Sequence, residues 1–137
     1  MDEYIEAIME YSFEYMAQDD YILATLVGDF DLRVMKDIIL SAAPIKQEHQ
    51  CDKLMGDFRQ ATFSFEVTDI VEAYRFWMET LRSNKCSPYE ARRVILITPR
   101  QQPSEKLRFL ETFAINRNSQ IRIFYDQQKA IEWLTKG

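Results

Sequence analysis

A chain of 137 residues with 47% apolar and 28% charged residues can bury a core without disulfides, and a net charge of −5 argues against a nucleic-acid partner. Three glycines and four prolines beside 13% aromatics exclude a disordered or low-complexity chain, and they leave no glycine-rich phosphate loop to write. The expectation is one domain spanning 1–137.

The opening "MDEYIEAIMEY" is acidic and has no basic n-region or long apolar core, so it does not read as a signal peptide. Its first ten residues fit helix or strand equally. No apolar run approaches a membrane span. Next, "YSFEYMAQDDYILATLV" reads as a β-hairpin: Phe13 and Tyr15 alternate with Ser12 and Glu14, "QDD" breaks the pattern, and Tyr21 to Val27 is almost wholly apolar. Gly28 and Asp29 are expected to end that strand, with Asp29 starting a helix by accepting from free first-turn amides. Val34, Met35, Ile38, Ile39 and Ala42 follow at helical spacing, and Pro44 is expected to close the helix.

"HQCDKLMGDF" supplies a short strand at Lys53 to Phe58. Val67, Ile70, Val71, Tyr74, Trp77, Met78 and Leu81 make the cleanest amphipathic stripe in the chain. "SNKCSPYE" reads as loop. "RRVILIT" is an apolar strand covered on both faces, with Arg92 and Arg93 as its solvated end. Pro103 and Ser104 open a helix carrying Leu107, Leu110 and Ala114. "IRIFYD" suits a sheet edge because Arg122 lies inside it, and Asp126 caps a final helix with Ala130, Ile131 and Leu134 on one side. The order predicts an α/β fold, a mixed and mostly parallel sheet opened by a β-hairpin, with four helices and right-handed crossovers.

That order, the "VGDFD" before the first helix, "LMGDFRQATFSF" in the middle and the ending "IRIFYDQQKAIEWL" together resemble the SpoIIAA-like group of bacterial proteins, which has the STAS fold. The resemblance spans roughly Glu10 to Leu134, and its most distinctive piece is Asp126, Ala130, Trp133 and Leu134 after the closing strand. It implies a cytoplasmic, non-enzymatic regulatory module that works by contact with a protein partner. In antagonist STAS domains a serine in an Asp-Ser-Ser/Thr-Gly turn opening the second helix is phosphorylated by a kinase. The matching "FSFEVTDI" has no glycine and no Asp-Ser pair, and Phe63 and Phe65 flank Ser64, so a module without the phosphoserine switch is expected.

Ser64, Glu66, Thr68 and Asp69 form the candidate regulatory surface, although a simpler reading accounts for them. Ser64 can cap the helix, with Glu66 and Asp69 at the positive end of its dipole. A receiver-like reading of Asp57 and Thr98, with Asp29 and Asp31 as an acidic pair, lacks the strand count and the lysine that chemistry needs. Cys51, Cys86 and the one histidine, His49, are too few for a zinc site, and no disulfide, metal or cofactor is expected. The methionines read as core filler. A competing functional reading is an apolar small molecule or lipid, held as in the related Sec14-type carriers by Tyr4, Tyr11, Phe13, Tyr15, Tyr74, Phe76 and Trp77. The partner's identity and the oligomeric state, a homodimer included, stay open.

Overall fold

The computed structural model describes residues 10–83, 91–101, 105–117 and 119–136. Among these, the elements run β1 (Glu10–Met16), β2 (Tyr21–Phe30), α1 (Leu32–His49), β3 (Lys53–Phe63), α2 (Val67–Ser83), β4 (Arg92–Leu96), α3 (Glu105–Ile115), β5 (Gln120–Phe124) and α4 (Gln127–Thr135). The sheet order is β1-β2-β3-β4-β5, antiparallel between the first two strands and parallel elsewhere. This is the mixed sheet with four helices that the sequence pattern predicts. In the hairpin turn Asp20 takes a left-handed φ of 56° and accepts the Tyr15 hydroxyl at 2.5 Å.

Three expected boundaries differ. The second strand does not stop at Gly28–Asp29: Gly28 adopts φ 109°, a conformation that suits glycine, and β2 continues to Phe30. The helix cap is therefore Asp31, which accepts from the Val34 amide at 3.0 Å. Pro44 does not close α1. It lies inside the helix on an exposed face, where the carbonyl it leaves unpaired can turn to water. The helix ends at Gln50, whose left-handed φ of 49° lets its amide and that of Cys51 fold back on Gln47 and Lys46. Finally, β3 outruns Phe58 by five residues, because it pairs with the lengthened β2 as far as Phe30 opposite Phe63.

Within that pairing the register slips from Thr25 opposite Asp57 to Val27 opposite Gln60. The extra β3 residue is a β-bulge, and it lets Phe58 and Ala61 both join the core. The helices α1, α2 and α3 cover one face of the sheet. Ala24, Leu26, Phe58, Ile95 and Ile97 pack there against Val34, Ile38, Ile70, Leu107 and Phe113. On the opposite face α4 sets Ala130 and Leu134 against Tyr21, Met55, Val94 and Leu96. Asp126 caps α4 as expected, accepting from the Lys129 amide. Arg122 lies on β5, an edge strand, again as expected, and Glu111 of α3 accepts the Ile123 amide there at 3.2 Å. The expected helix start at Pro103 and Ser104, the loop over 84–90 with Cys86, and the ambiguous first nine residues with Tyr4 lie outside the described residues.

Candidate functional site

The turn between β3 and α2 carries all four residues of the candidate surface. The Ser64 amide extends the strand ladder by donating to the Phe30 carbonyl at 3.0 Å. Helix α2 starts at Val67, which makes Glu66 the capping residue and places Ser64 two residues too early for that role. Asp69 does the capping work instead. Its carboxylate accepts the Glu66 amide at 2.8 Å, the side-chain-to-cap half of a capping box, while its own amide donates to the Glu66 carbonyl.

Ser64, Glu66, Val67 and Thr68 are exposed and Asp69 is half-buried. Glu66 pairs with Lys106 of α3 at 3.6 Å, but with its side chain 72% exposed that pair is screened by water and contributes little. The backbone beneath this polar stripe is fixed. Phe65 is fully buried, and Phe30, Phe58, Phe63 and Phe65 pack ring on ring with centroids 4.7 to 6.1 Å apart. Two exposed hydroxyls and two carboxylates thus sit on the turn and the first turn of α2, held from below by aromatic packing.

The remaining singled-out residues have structural partners. Asp57 lies inside β3 and receives two parallel bonds from Arg59 at 2.9 and 2.8 Å. Burial alone would push its carboxyl up, and the Arg59 bonds outweigh that and hold it below the usual value. Thr98 exchanges bonds with Gln101, whose side-chain amide then donates to the Phe58 and Ala61 carbonyls of the lengthened β3. Asp31 is occupied as a cap. His49 stacks on Tyr15 with ring centroids 3.8 Å apart, and the Cys51 thiol is buried between the Asp20 and Lys53 carbonyls at 3.5 Å. Burial raises its pKa, the opposite of what a reactive thiolate needs.

A cavity of about 130 Å³ opens between the sheet and the helices α1 and α2, with Leu107 and Leu110 of α3 also on its wall. Of the aromatic set proposed for a ligand pocket, Tyr74 and Trp77 line it, whereas Phe76 lies beneath Lys36 and Tyr11 and Phe13 pack together on β1. Arg93 also lines it. The expectation that Arg92 and Arg93 form a solvated strand end fails for Arg93, whose guanidinium is buried, and holds only in part for Arg92, which is half-exposed but bonded. The Arg93 guanidinium stacks on the Trp77 ring at 3.7 Å, and Arg92 donates to the Trp133 carbonyl at 2.9 Å and to that of Lys136. A signal for this exists in the sequence: side chains alternate along a strand, so two adjacent arginines on a doubly covered strand must each meet a buried face.

A hairpin-led mixed sheet, three helices on one face, a closing helix on the other and an exposed turn opening the second helix define an α/β fold of the SpoIIAA-like, STAS type. Solved structures carry the same fold. The anti-sigma factor antagonist SpoIIAA in its unphosphorylated form aligns with a TM-score of 0.55 at 13% identity, over 93% of this chain and 100% of that one. An anti-sigma factor antagonist from Mycobacterium paratuberculosis aligns with a TM-score of 0.57 at 8% identity, over 93% and 95% of the two chains. A Shewanella loihica PV-4 protein of the DUF3478 family, described as having a SpoIIAA-like fold, aligns at 0.51 and 12% identity, over 92% and 93%. Identities this low speak for the fold alone. No family model matches the chain, and no curated protein matches it.

Proposed function

We propose that this protein is a non-enzymatic regulatory module that acts by contact with a protein partner, through the turn around Ser64, Glu66, Thr68 and Asp69, and without a phosphoserine switch. The observation that carries the reading is the turn itself. It occupies the start of the second helix in a fold shared with anti-sigma factor antagonists, and it presents exposed Glu66, Val67 and Thr68 on a rigid aromatic base. A preorganised surface loses little conformational freedom when a partner docks.

The absence of a switch rests on the flanks of Ser64. Phe65 is fully buried and Phe63 packs on Phe30, Phe58 and Phe65, so presenting the hydroxyl in a kinase cleft would pull two rings from the core. A phosphoryl group there would also add negative charge beside Glu66 and Asp69.

The test is a pull-down from native cells with wild type, Thr68→Arg and Ser64→Ala. The expected result is one specific partner captured by wild type and Ser64→Ala and lost by Thr68→Arg. Capture of the same partner by Thr68→Arg would overturn the assignment of the surface. Substantial phosphoserine at position 64 in native cells, with a phenotype for Ser64→Ala, would overturn the absence of a switch.

A further inference from the structure

The wall of the cavity between α1, α2 and the sheet is almost wholly apolar, with Leu26, Ile38, Leu54, Ile70 and Ile95 on it. Lys46, Tyr74, Thr80 and Arg93 are its polar side chains. Tyr74 is engaged with Ser119 at 3.4 Å. Arg93 is different. Its Nε is buried, and among the described residues no acceptor meets it and no carboxylate offsets its charge.

A guanidinium keeps its proton under all ordinary conditions, so this is a permanent positive charge in an apolar setting. Burial lowers its pKa to about 10, still far above neutrality. Stacking on Trp77 compensates one face of the group, but a ring face cannot accept the in-plane bond that Nε offers. Protein atoms enclose the guanidinium while part of the side chain stays accessible, which fits a group whose open side is the cavity. A buried charge with an unused donor beside an apolar void is an expensive way to fill a core. An anion with a short apolar tail would satisfy the donor and the void together.

We propose that this cavity binds a small aliphatic monocarboxylate of about five carbons in all, since an apolar cavity of about this size accommodates benzene. The carboxylate takes Nε–H and a neighbouring Nη–H of Arg93 in the plane of the guanidinium, and the tail lies among Leu26, Ile38 and Ile95. The volume sets an upper limit, for drug-sized ligands need pockets of about 300 Å³ or more. This site lies beneath the helices and is independent of the exposed turn, so neither reading depends on the other.

The test is an NMR titration of the full chain with sodium pentanoate, pentanamide and sodium acetate, repeated on Arg93→Met. Pentanoate is expected to bind with a dissociation constant of about 1 mM or tighter, which is within reach of so small a ligand. It should move the signals of Ile38, Leu54 and the Trp77 indole. Pentanamide should bind at least about tenfold more weakly, acetate should not saturate, and Arg93→Met should lose the preference for the acid. Equal binding of pentanoate and pentanamide to the wild type overturns the proposal, as do shifts that map away from the cavity or an absence of shifts at tens of millimolar. If Arg93→Met does not fold, the acid-amide comparison on the wild type decides alone.

Discussion

Arg92 and Arg93 are neighbours in the chain and serve opposite faces of the sheet: Arg92 bonds the carbonyls at the end of α4, and Arg93 stacks on Trp77 beneath α2. One peptide unit therefore ties the lone helix of one face to the helical layer of the other. The cation at the end of α4 also meets the negative end of the helix dipole, so position and charge agree. The pair shows how a strand that looks charged at its start can be docked at every residue.

Replacing Arg92 by Met should cost about 1 kcal/mol, below the 1.5 to 3 usual for bonds to a charged group, because one bond is only part-buried and the other is exposed to water. The loss should be local first, with faster hydrogen exchange at residues 130–135 before the sheet amides change. Wild-type exchange rates in α4 would count against this role for Arg92.

Asp69 and Ser64 offer a direct contrast. Asp69→Ala should lower stability by about 1 kcal/mol through the lost bond to the Glu66 amide. Ser64→Ala should stay within about 0.5 kcal/mol of wild type, as exposed substitutions away from caps do. Urea denaturation of the two variants checks both figures, and the reverse order would restore Ser64 as the cap.

Gly28→Ala should destabilise by about 1 to 3 kcal/mol, since φ of 109° strains any residue with a Cβ. The effect should appear at β2 and β3 beyond the bulge, where the pairing of Phe30 with Phe63 depends on the strand continuing. A denaturation midpoint equal to wild type would mean that the backbone relaxes there.

The Asp57 carboxyl titrates below its ordinary value of 3.8 in the folded protein, because the Arg59 bonds outweigh the burial that would raise it. The unfolded chain then takes up that proton more readily, so the stability from Asp57 is complete above the ordinary value and is lost as pH falls through the lower folded value. Arg59→Gln removes the stronger influence and leaves burial, so the folded carboxyl should move above 3.8 and the acid limb of the stability curve should shift to higher pH. Carbon-13 NMR titration of the Asp57 carboxyl reads this directly; a value still below 3.8 in the variant would show another source of the shift.

Trp133→Ala should cost about 2 kcal/mol, less than the 3 to 5 of a fully buried aromatic, because the ring is only half-buried. It packs on Phe124 at 5.9 Å and lies between the Arg92 and Arg122 guanidinium groups. An unchanged melting temperature would show that these contacts contribute nothing.

The element order was legible because each helix has a spaced apolar stripe and each strand a run of branched or aromatic residues, as in Val67 to Leu81 and Val94 to Ile97. The boundaries that went astray depend on partners far away in sequence. Nothing local says that β3 continues past Phe58, since the continuation is made by pairing with a β2 lengthened at Gly28. Pro44 reads locally as a stop, but Ala42, Ala43 and Lys46 bury around it and hold the helix together. The capping chemistry of the turn at 63–69 is legible in its residue types, but that Asp69 rather than Ser64 supplies it depends on where the first helical amide falls, which Ser64 misses by pairing with Phe30. Alternation along a doubly covered strand turns Arg93 toward a helical layer, but its partner there, Trp77, comes from another element and has no local signal.

The carboxylate of Glu111 on the Ile123 amide has a consequence for assembly. A strand arriving at the β5 edge would find that donor already taken, while the Arg122 charge lies over the Phe124 and Trp133 rings on the α4 face. Sheet growth from this end is therefore disfavoured by the Glu111 carboxylate rather than by a proline or a covering helix. The β5 edge thus offers an incoming strand one backbone donor fewer than a bare edge would.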